Sequence, residues 1–300
     1  SYNVAVGSNA LQSNTTASNN TAVGYQAGQA NITGGSLVAV GKSSLSANTT
    51  GSRNVAVGFS ALETNTTGNN NTAVGNASLE ANTTGGTNAA FGRNSMLNNT
   101  TGSYNTGLGE SSFVSNTTGQ YNTAVGSASL RSNTTASSNT AVGYQSLYAN
   151  TTGVNNVGLG SNSLDANTTG VNNIGLGTNA LSANTTAEAN TAVGTNAMIT
   201  NSTGAYNVAV GMQALNSNTT ANNNTAVGYQ AGYSTNNSSA TFNTIFGYQA
   251  GYSNTSGSTN TFIGPYSGYS MTTGSNNTII GRYNGNQGGL DIRTSSNNIV

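Results

Sequence analysis

A chain of 300 residues in which only 4% are charged, against roughly 25% in an average soluble protein, lacks the surface of an ordinary globular domain. Six basic and six acidic residues cancel, and His, Cys and Trp are absent. That composition excludes an electrostatic footprint for nucleic acid, a disulfide framework, a thiolate or imidazole metal site and a Ser-His-Asp relay. Disorder of the usual kind pairs low hydrophobicity with high net charge, which is missing here. No apolar run approaches the ~18–20 residues that cross a bilayer, so no membrane insertion is expected.

From Gly7 a marker glycine recurs at Gly24, Gly41, Gly58, Gly75 and onward to Gly228 in unbroken steps of 17 residues. A step of 19 leads to Gly247, and steps of 17 to Gly264 and Gly281. A register this strict makes each unit equivalent to its predecessor, which is the signature of a solenoid. Seventeen residues cannot hold two helices and their loops, which take roughly 30 or more. Inside the unit, Asn122-Thr123-Ala124-Val125-Gly126 alternates with the strand period, placing Thr123 and Val125 on one face and Ala124 on the other. Ser127-Ala128-Ser129-Leu130 reads as a second short strand, and Asn133-Thr134-Thr135-Ala136 as a turn. The expected fold is therefore all-β: a parallel β-solenoid (β-roll) of about seventeen 17-residue coils, roughly 80 Å long at about 4.7–4.9 Å per coil.

Ala22, Ala56, Ala73, Ala124, Ala141, Ala192 and Ala226 belong to a row in which only Ala or Gly occurs across the first fourteen coils. The next residue is always larger, as at Val23, Val57, Phe91 and Val125. This large row and the Leu row (Leu45, Leu62, Leu130, Leu147) are expected to fill the coil interior. The small row then forms an inter-chain seam, where a second copy approaches closely. The alternative is a tight interior that tolerates nothing larger, which turns the Val row outward. An Asn ladder from Asn54 through Asn122 to Asn224 is expected to hydrogen-bond from coil to coil through stacked amides.

Two regions follow: a regular shaft at 1–228, and variant Tyr/Gly-rich repeats at 229–300. In the second, Ile245, Phe262 and Ile279 replace Ala, while Gly232, Gly251 and Gly268 replace Leu. Terminal solenoid repeats cap the stack or change its partners, so Ile245, Phe262 and Ile279 are read as a thicker part of the same seam. The last residues, Asn297-Asn298-Ile299-Val300, repeat the run-up to a further marker glycine, and the natural chain is expected to continue.

The run Asn-Thr-Ala-Val-Gly at Asn71–Gly75, Asn122–Gly126, Asn190–Gly194 and Asn224–Gly228 resembles the Asn-Ser-Val-Ala-Ile-Gly signature of YadA-like head repeats, found in trimeric autotransporter adhesins and haemagglutinins. The longer unit, Asn139-Thr140-Ala141-Val142-Gly143-Tyr144-Gln145-Ser146-Leu147 with Asn150-Thr151-Thr152-Gly153, is similar to repeat arrays of phage tail-fibre proteins that precede an intramolecular chaperone domain. The resemblance covers essentially the whole chain, although the unit is longer than a typical YadA-type unit. It implies left-handed coils, intertwined or packed as a homotrimer.

Glu63, Glu80, Glu110, Asp165, Glu188 and Asp291 occupy varied repeat positions, so no catalytic, cofactor or metal site is expected and the chain is read as non-enzymatic. Glu63 and Glu80, one period apart, are expected to be solvated neighbours. Asn14, Asn48, Asn65, Asn82, Asn116, Asn133, Asn150, Asn167, Asn184 and Asn218 each open an Asn-Thr-Thr sequon and are candidate N-glycosylation sites; the alternative is a turn that favours Asn and Thr. The leading functional expectation is an extracellular structural fibre shaft with an adhesive role. Specifically, it is a phage tail fibre that pairs with itself and presents or forms a surface for a host glycan or receptor. The alternative is a bacterial cell-surface adhesin or a glycosylated extracellular filament. Ice binding comes third, weakened because the Thr pairs fall at a turn.

Overall fold

The computed structural model describes residues 2–300, which divide into two compact units, one up to Thr152 and one spanning Gly153–Val300. Among the described residues there is no helix. The first unit holds nine three-residue strands, β1 (Val4–Val6) to β9 (Thr140–Val142), and the second holds eight, β10 (Val157–Leu159) to β17 (Thr278–Ile280). Within each unit successive strands pair in parallel one period apart, as in Thr106↔Thr123 and Thr123↔Thr140. The 19-residue step lies between β14 (Thr225–Val227) and β15 (Thr244–Phe246), where Thr225 pairs with Thr244. Each unit is thus a parallel β-solenoid, with one strand per coil and not two.

The stretch expected as a second strand is instead a pair of turns. Ser129 N donates to Gly126 O at 3.3 Å, and Asn133 N to Leu130 O at 3.3 Å. Ala128 and Leu130 adopt left-handed backbone, with φ of 55° and 50°. That conformation costs an L residue roughly 1–2 kcal/mol, and it persists where the surroundings over-determine it. Here Ala128 N donates to Glu110 O of the preceding coil (3.1 Å), and Leu130 N to Ser146 O of the following one (2.9 Å). The Leu130 side chain is also fully buried. The marker glycine is equally constrained. Gly126 has φ of 123°, and a Cβ on it would lie 2.5 Å from the carbonyl oxygen of Gly143 in the next coil. Backbone conformation and coil contact both forbid a side chain there, which explains the strict period.

The interior is built from the small row and the Leu row together. Ala22, Ala56, Ala73, Ala124, Ala141, Ala192 and Ala226, and likewise Ile245, Phe262 and Ile279, are fully buried within the single chain. None of them is accessible to form the inter-chain seam expected from their size. The physical reason is the narrowness of a 17-residue coil: the middle residue of each strand points at the opposite wall, where Leu130 and its equivalents already fill the space. The Val row faces outward.

In the second unit the two walls exchange volume. A Cβ on Gly251 would meet Phe262 Cδ2 at 2.8 Å, and one on Gly268 would meet Phe262 Cδ1 at 2.7 Å. At Gly232 it would meet Leu215 Cδ2 at 2.9 Å and Ile245 Cδ1 at 3.0 Å. Ile245 and Phe262 occupy space that leucine fills elsewhere, so the feature read as a thicker seam is an internal swap. Phe262→Ala is expected to cost about 3–5 kcal/mol, and Gly251→Leu alone to overpack against Phe262. The double variant should recover at least ~1 kcal/mol against the sum of the two single losses. Urea midpoints measure this, and strictly additive losses would contradict the swap.

The irregular spacings near Ser234–Ala240 and near Gly288–Asp291 are absorbed without breaking the stack. Asn243 N donates to Asn224 Oδ1, 19 residues back, and Asn298 N to Asn277 Oδ1, 21 residues back. In the second case a small antiparallel hairpin, β18 (Asn286–Gln287) with β19 (Leu290–Asp291), takes up the extra chain. Ile299 then bridges in parallel to Thr278, opening a further rung.

Candidate interaction surface

Each strand turns its first and third residues outward. Leu159 is 48% exposed, Phe246 57% and Ile280 66%, while the central residues of their strands are buried. Beside this row, the residue following the marker glycine is an exposed Tyr25, Phe59, Tyr144, Met212 or Tyr248 in some coils and a charged Lys42, Arg93, Glu110 or Arg282 in others. None of the six basic and six acidic residues lies on β1–β17. The strands of each unit are therefore uncharged and partly apolar, bordered by a column that mixes aromatic and charged residues. Depletion of charge with enrichment in aromatic and aliphatic residues is the composition of an interface core, and a contiguous exposed apolar surface marks an interaction site. The signal of this column in the sequence is its position, directly after the marker glycine and beside the Val row.

The Asn ladder has the expected coil-to-coil bonds, and a second one runs beside it. Asn122 N donates to Asn105 Oδ1 at 2.9 Å, and Asn122 Nδ2 to Ala136 O at 2.9 Å. Asn133 Nδ2 donates to Asn116 Oδ1 at 3.1 Å and to the same Ala136 carbonyl at 3.0 Å. Two amides thus converge on one turn carbonyl and carry the bond to the next coil. Removing one partner of a buried hydrogen bond costs about 1–3 kcal/mol per group left unsatisfied. Asn133→Ala should therefore lower the urea midpoint clearly. A wild-type midpoint would mean the ladder is decorative.

The same geometry overturns the glycosylation reading. An N-linked sugar replaces a hydrogen on Nδ2. Asn48, Asn65, Asn82, Asn116, Asn133, Asn150, Asn167, Asn184 and Asn218 are all fully buried. Their amide nitrogens are engaged, as in Asn48 Nδ2 to Asn31 Oδ1 at 2.8 Å and Asn65 Nδ2 to Asn48 Oδ1 at 2.8 Å. Asn14 is half-buried, and its Nδ2 donates to Ala17 O at 3.3 Å. The Asn-Thr-Thr element is a turn whose Asn points inward. Its first Thr bonds the next coil, as in Thr49 Oγ1 to Thr66 O at 3.0 Å, and its second, such as Thr50, faces solvent.

Partial desolvation raises the Glu80 carboxyl above its ordinary range, with Glu63 as the second cause. Arg93 pairs with Glu110, and Arg293 with Asp291 at 2.7 Å, all at exposed positions. Among the described residues, no group of three or more His, Cys, Asp or Glu side chains could hold a metal ion. No helix among them is long and apolar enough to cross a membrane. Comparison with protein-family models finds no match, and no curated protein matches the chain.

Proposed function

We propose that the chain is a segment of an extracellular fibre that assembles as a homotrimer through its Thr/Val strand face, as the shaft of a phage tail fibre with an adhesive role. The observation carrying this reading is the uncharged, partly apolar face repeated coil after coil in both units. Another copy of the chain is the partner guaranteed to share its coil spacing, so it can meet the Thr and Val rows in register along many coils. The resemblance to phage tail-fibre and YadA-like repeats supports the same choice. A bacterial surface adhesin or extracellular filament would use the same face, and burial of the sequon amides argues against an N-glycan coat on either. Native mass tests the proposal: three chains per particle are expected, and a single-chain mass at micromolar concentration would overturn it.

One observation favours a second reading. Ten of the seventeen strands begin with an outward Thr, among them Thr21, Thr123, Thr191 and Thr278, so threonines also stand on a flat strand face and not only at the turn. That answers the objection that the Thr pairs fall at a turn, which places ice binding third. Thermal hysteresis from the purified protein would favour this reading, and its absence would discard it.

A further inference from the structure

We infer that the second unit carries a carbohydrate-binding site at the end of its tyrosine stack, suited to a pyranoside bearing a carboxylate. Tyr233, Tyr252 and Tyr269 stack on successive coils, with ring centroids 4.9 and 5.1 Å apart and planes within 9° and 12°. After Tyr269 the stack ends. In the next coil Asn284 O accepts from Ser270 N, as Tyr269 O does from Ser253 N one coil earlier, so an asparagine and not a ring follows there. The chain then departs into the β18–β19 hairpin. A cavity of about 200 Å³ opens at this point, lined by Tyr266, Tyr269, Arg282, Asn284 and Gln287.

The lining is chemically coherent. Tyr266 meets Tyr269 edge-on, at 5.9 Å and 62°, so the two rings form a corner. The Arg282 guanidinium lies 5.4 Å over the Tyr266 ring, and neither ion pair among the described residues involves it. Asn284 Oδ1 accepts from Asn286 N at 2.9 Å, and Gln287 Oε1 from Asn284 N at 3.4 Å. Those bonds hold the two amides by their oxygens and leave Nδ2 and Nε2 as donors for a ligand. A flat aromatic surface suits the C–H face of a pyranose, amide donors suit its hydroxyls, and an unpaired guanidinium suits a carboxylate. The volume is below the ~300–1,000 Å³ of drug-sized pockets and fits a single sugar unit. Asp291, the nearest acid along the chain, is engaged by Arg293 and so does not neutralise Arg282.

This inference deepens the adhesive part of the proposed function and rests on it, but the two fail separately, because particle mass is read apart from sugar binding. The experiment is calorimetric titration of the full chain with methyl β-glucuronide and methyl β-glucoside, alongside its native mass. The glucuronide should saturate and bind about tenfold more tightly than the glucoside. Tyr269→Ala should abolish both. Arg282→Gln should remove the preference while leaving glucoside binding. Should Tyr269→Ala fail to fold, the exposed Gln287→Ala serves instead, with an expected loss of at least about threefold. Tyr104→Ala, from the stacked Tyr104–Tyr121 pair of the first unit, should change nothing. No saturable glucuronide binding, or binding indifferent to these pocket variants, would overturn the site. Equal affinity for the two sugars would overturn the acidic class. Binding by a single-chain particle would leave the site standing and remove the trimer.

Discussion

Ala124→Phe should destabilise the first unit by at least about 3 kcal/mol, at or beyond the upper end of the usual overpacking range. Ala124 is fully buried and paired in register between Gly107 and Ala141 of the adjacent coils. The second unit shows what a phenylalanine in this row demands, since Phe262 lies against Gly251 and Gly268. The equivalent positions around Ala124 are Phe113 and Leu130, both fully buried. No vacated space exists, so the new ring must push the walls apart. Coil stability comes from interfaces with both neighbours, so damage to one coil weakens two interfaces. Thermal unfolding followed by circular dichroism should show a markedly lower transition for the whole unit. A variant that melts like wild type but assembles poorly would restore the seam reading.

Val125→Asp, one residue along, should do the opposite. Val125 lies on the outward face, half-buried in the single chain. There a charge stays solvated, and the substitution should cost no more than about 1 kcal/mol, within the span of β propensities. In an assembly that covers this face, the same carboxylate is desolvated without a partner. No strand of the face carries a charge that could pair with it. Self-association should weaken by at least about tenfold, with β content unchanged. Light scattering and circular dichroism on one sample separate the two effects, and unfolding comparable to that of Ala124→Phe would mean that the faces are reversed.

Much of the fold could be read from the residues. The marker glycines set the period, the Thr-Ala-Val alternation set the strand, and the Asn row set the ladder, because each reflects a constraint repeated in every coil. Which face lies inside was misjudged. Alternation says only that Ala124 and Val125 point oppositely, and the habit of placing large apolar residues inside fails in a coil too narrow for them. A clue was present: Val125 shares its face with Thr123, so the uniformly apolar face is that of Ala124. Other features had no local signal. Leu130 at positive φ is held there by the coils on either side, not by its own preference. The sequon pattern at Asn133 describes what a modifying enzyme recognises, while access depends on an amide that tertiary structure buries. At the C-terminal end, the exchange of Leu for Gly and of Ala for Phe was visible as two changes. Their being one compensating change becomes apparent only when Gly251 and Phe262 are seen in contact.

The most direct test of this account uses the absence of cysteine from the chain. Single Ala124→Cys and Val125→Cys variants can each be labelled, under native conditions, with a thiol reagent too large to enter the coil. With the small row inside and the Val row outside, Cys at 125 labels readily in the isolated chain and is protected in the assembled particle, while Cys at 124 is protected in both. Rapid labelling at 124 in the isolated, folded chain, with protection at 125, would contradict the account at its centre.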